Sequence, residues 1–150
     1  MVPGDREQVF DPVIAANLTN AYDMAIACLP HFSPQMTCRI VFASSLAYRR
    51  GASEHTAYTA AKGGIAGLTR SLSRRLAPGI LVNALAPGLI DTDMPRDFLQ
   101  DKKERMVASI PLQRLGQGSE VAGVIDFLCG DAASYITGQV INVDGGIVND

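Results

Sequence analysis

The chain has 150 residues, 47 % of them apolar and 19 % charged, with a formal net charge of −2. These proportions suit one globular domain that buries about 68 to 70 % of its unfolded surface, and they exclude a disordered, collagen-like or disulfide-stapled chain. No basic run exceeds the pairs Arg49 with Arg50 and Arg74 with Arg75, so neither nucleic acid nor a membrane surface is expected as a partner.

The first residues, MVPGDREQVFD, lack the basic-then-apolar order of a secretory signal. No apolar run approaches the roughly 18 residues of a membrane span, and a soluble, cytoplasmic protein is expected. Cys28, Cys38 and Cys129 lie far apart, as do His31 and His55. That spacing suggests no metal site; the thiols are expected as small buried side chains in a reducing compartment.

Asp11 before Pro12 predicts a helix start, with the Asp as cap and the Pro needing no donor. Apolar residues then recur at three- and four-residue steps from Val13 to Leu29, until Pro30. Asn17 interrupts that face, and a buried amide there needs partners. The run RIVFASS, residues 39–45, predicts a buried parallel strand ending in Ser44 and Ser45. A long helix is predicted from about Thr56 to Leu76, stopped by Ala77-Pro78-Gly79.

GILVNALAPG, residues 79–88, predicts a second buried strand that runs into the turn Pro87-Gly88, with Ile90 and Thr92 just beyond. Residues 91–110 form a charged excursion outside the sheet, helical in part. Ser119 is expected to cap a helix whose Val121, Val124, Ile125 and Leu128 face the core, with Gly130 as its stop. GQVINV, residues 138–143, predicts a third strand closed by Asp144-Gly145-Gly146. This alternation is that of an α/β domain with a parallel sheet; three strands amount to half of a doubly wound sheet.

YTAAK places Tyr58 and Lys62 four residues apart, on one face of the long helix. A cation near a phenol favours the phenolate, which fits a tyrosine for general acid or base work near neutral pH. Taken alone, the pair also suits a packed ring beside a solvated lysine. Ser44, Ser45 and the Pro87-Gly88 turn fall at the carboxyl ends of strands, where open α/β sheets bind ligands. Ser45 has no GxSxG elbow around it, which argues against a hydrolase nucleophile.

Asn17 in VIAANLTNAY, Ser45 in IVFASSLA, and Tyr58 and Lys62 in YTAAKGGIAGLTRSL resemble the short-chain dehydrogenase/reductase family. So do VNALAPGLIDTDM and ASYITGQVINVDGG, and the likeness is greatest to the 3-oxoacyl-carrier-protein reductase branch. The resemblance runs over nearly the whole chain, with Ser45 thirteen residues before Tyr58 as in the family. It implies the C-terminal part of a Rossmann-type sheet and an NAD(P)-dependent oxidoreductase that moves a hydride between nicotinamide and a small carbonyl or alcohol, a 3-oxoacyl thioester included. It further implies that Tyr58 exchanges a proton with the substrate oxygen, Ser45 hydrogen-bonds that oxygen, Lys62 tunes Tyr58 and holds the nicotinamide ribose, and Asn17 positions a relay water. Pro87, Gly88, Ile90 and Thr92 would border the nicotinamide, and the segment from Asp93 to about Ile110 would be a substrate lid.

The family's glycine-rich GxxxGxG turn is not found at any glycine of this chain; Gly116-Gln117-Gly118 comes nearest to the related GxGxxG, with Val121 in the place of its last glycine. NAD and NADP are therefore both compatible. Three readings follow: a catalytic unit or part of one, a catalytically inactive paralogue acting as an oligomerisation module, or a fragment in which Met1 is an internal methionine. The strand at 39–45 would expose an unpaired edge beside apolar surface, which predicts a homo-oligomer or a partner chain over it. Ala60, Ala61, Gly63, Gly64, Ala66 and Gly67 allow close helix packing, either within the chain or across the dimer interface that the family builds on this helix.

Overall fold

The computed structural model describes residues 9–52, 55–91 and 105–149. The first helical stretch is composite: α1, Asp11–Ile14, passes through a π-helical turn, Ala15–Thr19, into α2, Asn20–Cys28. β1, Cys38–Ala43, follows, then the short α3, Ala47–Arg50, and the long α4, Thr56–Leu76. β2, Ile80–Pro87, leads into a two-residue strand β3, Ile90–Asp91. β4, Gly116–Gln117, then opens α5, Gly118–Cys129, and β5, Val140–Val143, comes last.

β2 is central because its side chains tolerate burial on both faces: residues 81–86 are all buried. β1 lies parallel on one side, with Cys38 opposite Ile80 and Ala43 opposite Leu85. β5 lies parallel on the other, with Ala84 opposite Val140 and Pro87 opposite Val143. The order β1-β2-β5 makes the predicted three-stranded parallel sheet and leaves β1 at its margin. Ala25, Phe42, Ile65, Leu72, Val82 and Ala84 form the core between the sheet and the helices α2 and α4. Each large side chain buried there contributes about 1.5–3 kcal/mol.

A polar lock fixes where β5 begins. Asn83, 2 % exposed, donates from Nδ2 to the Ile136 carbonyl at 2.8 Å and accepts the Gln139 N–H at 3.1 Å. Thr137 Oγ1 accepts the Val82 N–H at 3.1 Å, and the Gly138 N–H donates to the Val82 carbonyl at 2.7 Å. Gly138 has φ of +76°, and a Cβ there would lie 2.8 Å from Ser73 Oγ, so both the conformation and the space require glycine. Part of the phrase YITGQVINV is therefore architectural.

Several local expectations are corrected. Helical backbone precedes Asp11, so the cap position falls to Phe10 and the carboxylate sits in the first turn, where it favours the helix dipole. Ser119 is not the cap of α5: Gln117 is, in a reciprocal capping box with Glu120. Ile125 is 38 % exposed while Leu128 is 1 % exposed, because Val121, Val124 and Leu128 form the inward stripe and Ile125 falls on its flank. Cys28 and Cys38 are half-buried and Cys129 is exposed, on the outer side of the last turn of α5. The β3–β4 ladder, with Ile90 opposite Gly116, is too short for any periodicity to announce. Of the expected lid, residues 93–104 lie outside the described residues, as does Thr92; residues 105–108 form a helical turn. Among the described residues no helix is long and apolar enough to cross a membrane.

Candidate active site

The parallel ladder carries the ends of β1 and β2 to the same level. The Ser44 N–H donates to the Leu85 carbonyl at 2.8 Å and the Leu46 N–H to the Pro87 carbonyl at 3.0 Å. Because extended chain alternates its side chains, the two serines part company. Ser44 is 4 % exposed, and its hydroxyl donates to the Lys62 main-chain carbonyl at 2.9 Å. Ser45 is half-buried, and its Oγ accepts the Ala47 N–H at 3.2 Å, which leaves its own O–H to donate elsewhere.

The first turns of α4 bring Tyr58 and Lys62 to that strand end. The Lys62 ammonium donates to the Ala43 carbonyl at 2.9 Å and lies 5.4 Å from the centre of the Tyr58 ring. Loss of water around the half-buried amine lowers its pKa from the ordinary 10.5. An ammonium has three N–H donors, so two remain for hydroxyls of a ligand.

Asn17 sits in the π-helical turn and is half-buried; its Nδ2 donates to the Val13 carbonyl at 3.0 Å, one turn back along its own helix. π turns recur at functional sites because they rearrange the local backbone bonds. The neighbouring Leu18 packs on Gly64, where an added Cβ would lie 2.6 Å from Leu18 Cδ2. The turn is thereby seated on α4 two residues beyond Lys62, although the Asn17 side chain itself bonds within its helix.

Pro87 and Gly88 close the second strand as expected. The Gly88 N–H donates to the Val143 carbonyl at 3.0 Å, and a Cβ at Gly88 would lie 2.7 Å from Asp144 Cα. Asp144 is itself fixed, with its carboxylate accepting the N–H groups of Gly146 and Val148, each at 3.0 Å. Ile90 lines a cleft of about 490 Å³ together with Leu112, Arg114, Glu120 and Asn142, and the Asn142 Oδ1 is a buried acceptor without a partner among the described residues. Ser45, Tyr58 and Lys62 stand outside that lining.

The sequence reading missed the Arg114–Glu120 pair on the rim of this cleft. The guanidinium forks onto the carboxylate at 2.8 and 2.7 Å, and the Gln117 N–H adds a third bond at 2.8 Å. Arg114 first and the Gln117 N–H second hold the Glu120 carboxyl down at about 2. Both side chains are open to water, so the pair orients the start of α5 more than it stabilises the domain. The signal was the spacing Gln117-x-x-Glu120 ahead of an apolar helix.

Comparison with known proteins supplies the frame for this geometry. The family described as Enoyl-(Acyl carrier protein) reductase matches residues 5–148. The 3-oxoacyl-[acyl-carrier-protein] reductase FabG of Pseudomonas aeruginosa is 40 % identical over 142 residues, which are 94 % of this chain and 57 % of that protein. A crystal structure of a short-chain dehydrogenase/reductase, glucose/ribitol dehydrogenase, from Brucella melitensis superposes with a TM-score of 0.88 at 39 % identity, covering 100 % of this chain and 59 % of that one. A protein from Agrobacterium tumefaciens, provisionally named a 2-deoxy-d-gluconate 3-dehydrogenase and solved with bound NADP, gives a TM-score of 0.83 at 35 % identity and covers 94 % and 59 %. The chain thus spans somewhat under three fifths of the length of these relatives.

Proposed function

Because the chain belongs to the short-chain dehydrogenase/reductase family and is similar to its 3-oxoacyl-carrier-protein reductases, we propose that it carries the proton-transfer half of an NAD(P)-dependent oxidoreductase acting on a small carbonyl or alcohol, with a 3-oxoacyl thioester as the favoured substrate. The observation that supports this most directly is the half-buried Lys62 ammonium, held at the end of β1 against the Tyr58 ring with Ser45 two residues from its anchor. The donor set suits a nicotinamide ribose, whose paired hydroxyls match the two unspent N–H groups of Lys62. When bound, the dinucleotide would supply or accept the hydride. Among the residues themselves, Tyr58 would pass a proton to the carbonyl oxygen in reduction and take it from the alcohol in oxidation. Positive charge at Lys62 stabilises the negative charge that develops on the phenolic oxygen. Ser45 would direct its O–H to the reacting oxygen, and Asn17 would hold a water on the path by which the proton is replaced. Pro87, Gly88, Ile90 and Thr92 would border the nicotinamide, while the segment from Asp93 to about Ile110 would cover the substrate.

The same reading places the protein in the cytoplasm as a homo-oligomer, or with a partner chain along β1, whose outer edge has no strand beside it among the described residues. The test is a reductase assay on an acetoacetyl thioester, with a crotonyl thioester for comparison and with NADH and NADPH in separate arms. Tyr58→Phe is expected to lower the rate on the ketone about 10²–10⁴-fold. Equal rates from Tyr58→Phe and the parent chain would remove Tyr58 from the chemistry. Failure to bind either cofactor at millimolar concentration, followed by nicotinamide fluorescence, would favour a non-catalytic assembly module.

A further inference from the structure

Two hydrogen bonds join the end of β1 to α4 in opposite directions. Ser44 Oγ donates to the Lys62 main-chain carbonyl at 2.9 Å, and Lys62 Nζ donates to the Ala43 carbonyl at 2.9 Å. The lysine is thereby held at both its root and its tip by consecutive residues of one strand end.

We propose that Ser44 is a positioning residue for Lys62: it fixes the main chain at residue 62 so that Nζ remains at the Ala43 carbonyl beside the Tyr58 ring. The catalytic significance of that position rests on the reading of Tyr58 and Lys62 given above; the clamp itself does not.

The choice of partner carries the inference. A serine hydroxyl ordinarily finds a bond within its own turn. Ser73 Oγ donates three residues back to Arg70 at 2.9 Å, Ser109 Oγ three residues back to Met106 at 2.7 Å, and Ser45 Oγ accepts from Ala47, two residues on. Ser44 instead reaches across eighteen residues to another element. At 4 % exposure an alanine would fill nearly the same space without the cost of burying a hydroxyl, so the hydroxyl is retained for its bond. Its base is rigid, because the Ser44 N–H is tied to the Leu85 carbonyl at 2.8 Å. A carbonyl has two lone pairs, so the hydroxyl can add to the helical bond at Lys62 without displacing it.

The tip alone would not hold the amine. A lysine side chain loses about 2 kcal/mol of rotamer entropy when fixed, and its bond to a neutral carbonyl in a half-exposed place competes with water. Anchoring the root shortens the set of paths the tip can take. Tyr58 is a titratable side chain beside the amine, its ring centre 5.4 Å away, and the desolvation that lowers the amine's pKa requires the amine to stay where it is.

The experiment follows the side-chain titration of Lys62 by NMR in the full chain carrying a carbon-13 label at lysine Cε. Lys62, Lys102 and Lys103 give three signals at most, and Lys62→Arg identifies the one of interest. In Ser44→Ala the Lys62 midpoint should move up towards that of free lysine, and Ser44→Thr, which restores a hydroxyl, should bring it back. Ser73→Ala removes a serine-to-carbonyl bond that lies within α4 itself, eleven residues beyond Lys62, and should leave the midpoint unmoved, which separates positioning from general loosening of the helix. Should Ser44→Ala fail to fold, Ser44→Cys keeps the volume with a weaker donor and should give a smaller upward shift. A folded Ser44→Ala or Ser44→Cys protein with the parent midpoint, or an equal shift in Ser73→Ala, overturns the proposal. No cofactor or substrate enters the measurement, so a chain without reductase activity but with the shift would sink the proposed function and leave the clamp standing.

Discussion

Two polar clusters border the middle strand, and they are finished differently. Around Asn83 both halves of the amide are bonded, to the Ile136 carbonyl and from the Gln139 N–H, and the next residues close the gap with Thr137 and Gly138. At the carboxyl ends of β1 and β2, Lys62 spends one N–H on Ala43 and Ser45 only accepts. Where each polar atom already has a protein partner in a dry place, the cluster serves the fold, since a ligand would have to displace bonds already made. Donors left over at the edge of a parallel sheet are what a ligand can use.

The comparison breaks most readily at Asn83. Asn83→Ala leaves the Gln139 N–H and the Ile136 carbonyl without their partner under the sheet, and the expected cost is about 2–4 kcal/mol in urea unfolding. Tyr58→Phe, by contrast, is expected to stay within about 0.5–1 kcal/mol of the parent while lowering the proposed reductase rate about 10²–10⁴-fold. A Tyr58→Phe protein as unstable as Asn83→Ala would mean that the tyrosine also belongs to the architecture. Next in size is Gly88→Ala. Its Cβ would meet the main chain of Asp144, which two bonds hold in place, so the strain falls on backbone, at about 1–3 kcal/mol. Gly64→Ala meets only the tip of Leu18 and should cost less, with the order of the two read from their unfolding midpoints.

The sequence made one cluster legible and not the other. Tyr58 and Lys62 announce themselves because a four-residue step on a helix forces two functional groups together, whatever the rest of the chain does. Asn83 lies inside ILVNALAP, where a single amide in an apolar run gives no hint of its partners more than fifty residues on. The strands β1 and β2 and the helix α4 were readable from unbroken apolar runs and their stops, but only β2 is buried along its length; β1, expected buried too, is half-buried except at Phe42 and exposed at Ala43, as a marginal strand is. Ser44 and Ser45 look alike in sequence; only the register of β1 against β2 decides which hydroxyl is turned inward. The β3–β4 ladder leaves no mark because two residues carry no period, and the cap of α5 falls on Gln117, not on Ser119, although serine is the commoner cap, because Glu120 three residues on closes the reciprocal box.

A smaller effect sharpens the contrast at Lys62. Its amine is already lowered below the ordinary 10.5 in the folded chain, so between the two values the unfolded chain binds more protons. Stability must therefore rise with pH through that alkaline window by the contribution of this group. Lys62→Gln should lose that rise, seen as the difference between the two unfolding curves measured from neutral pH upward. An identical pH dependence in both would mean that the amine is as well hydrated in the folded chain as in the unfolded one.

The smallest expected change is at Glu120, on the rim of the cleft, where the polar contacts are numerous but wet. Arg114 holds this carboxyl at about 2 in the folded chain, against an ordinary value near 4.5. The sign is opposite to that of Lys62 in mechanism yet the same in slope: between those values the unfolded chain again binds more protons, so the contribution is complete above about 4.5 and is lost as pH falls through about 2. Glu120→Gln should flatten the acid limb slightly, and added salt should do the same to the parent by screening an exposed pair. If salt leaves the parent's acid limb unchanged while Glu120→Gln still flattens it, the bond from Gln117 outweighs the charge of Arg114, and the carboxylate serves α5 as a cap first and as an ion pair second.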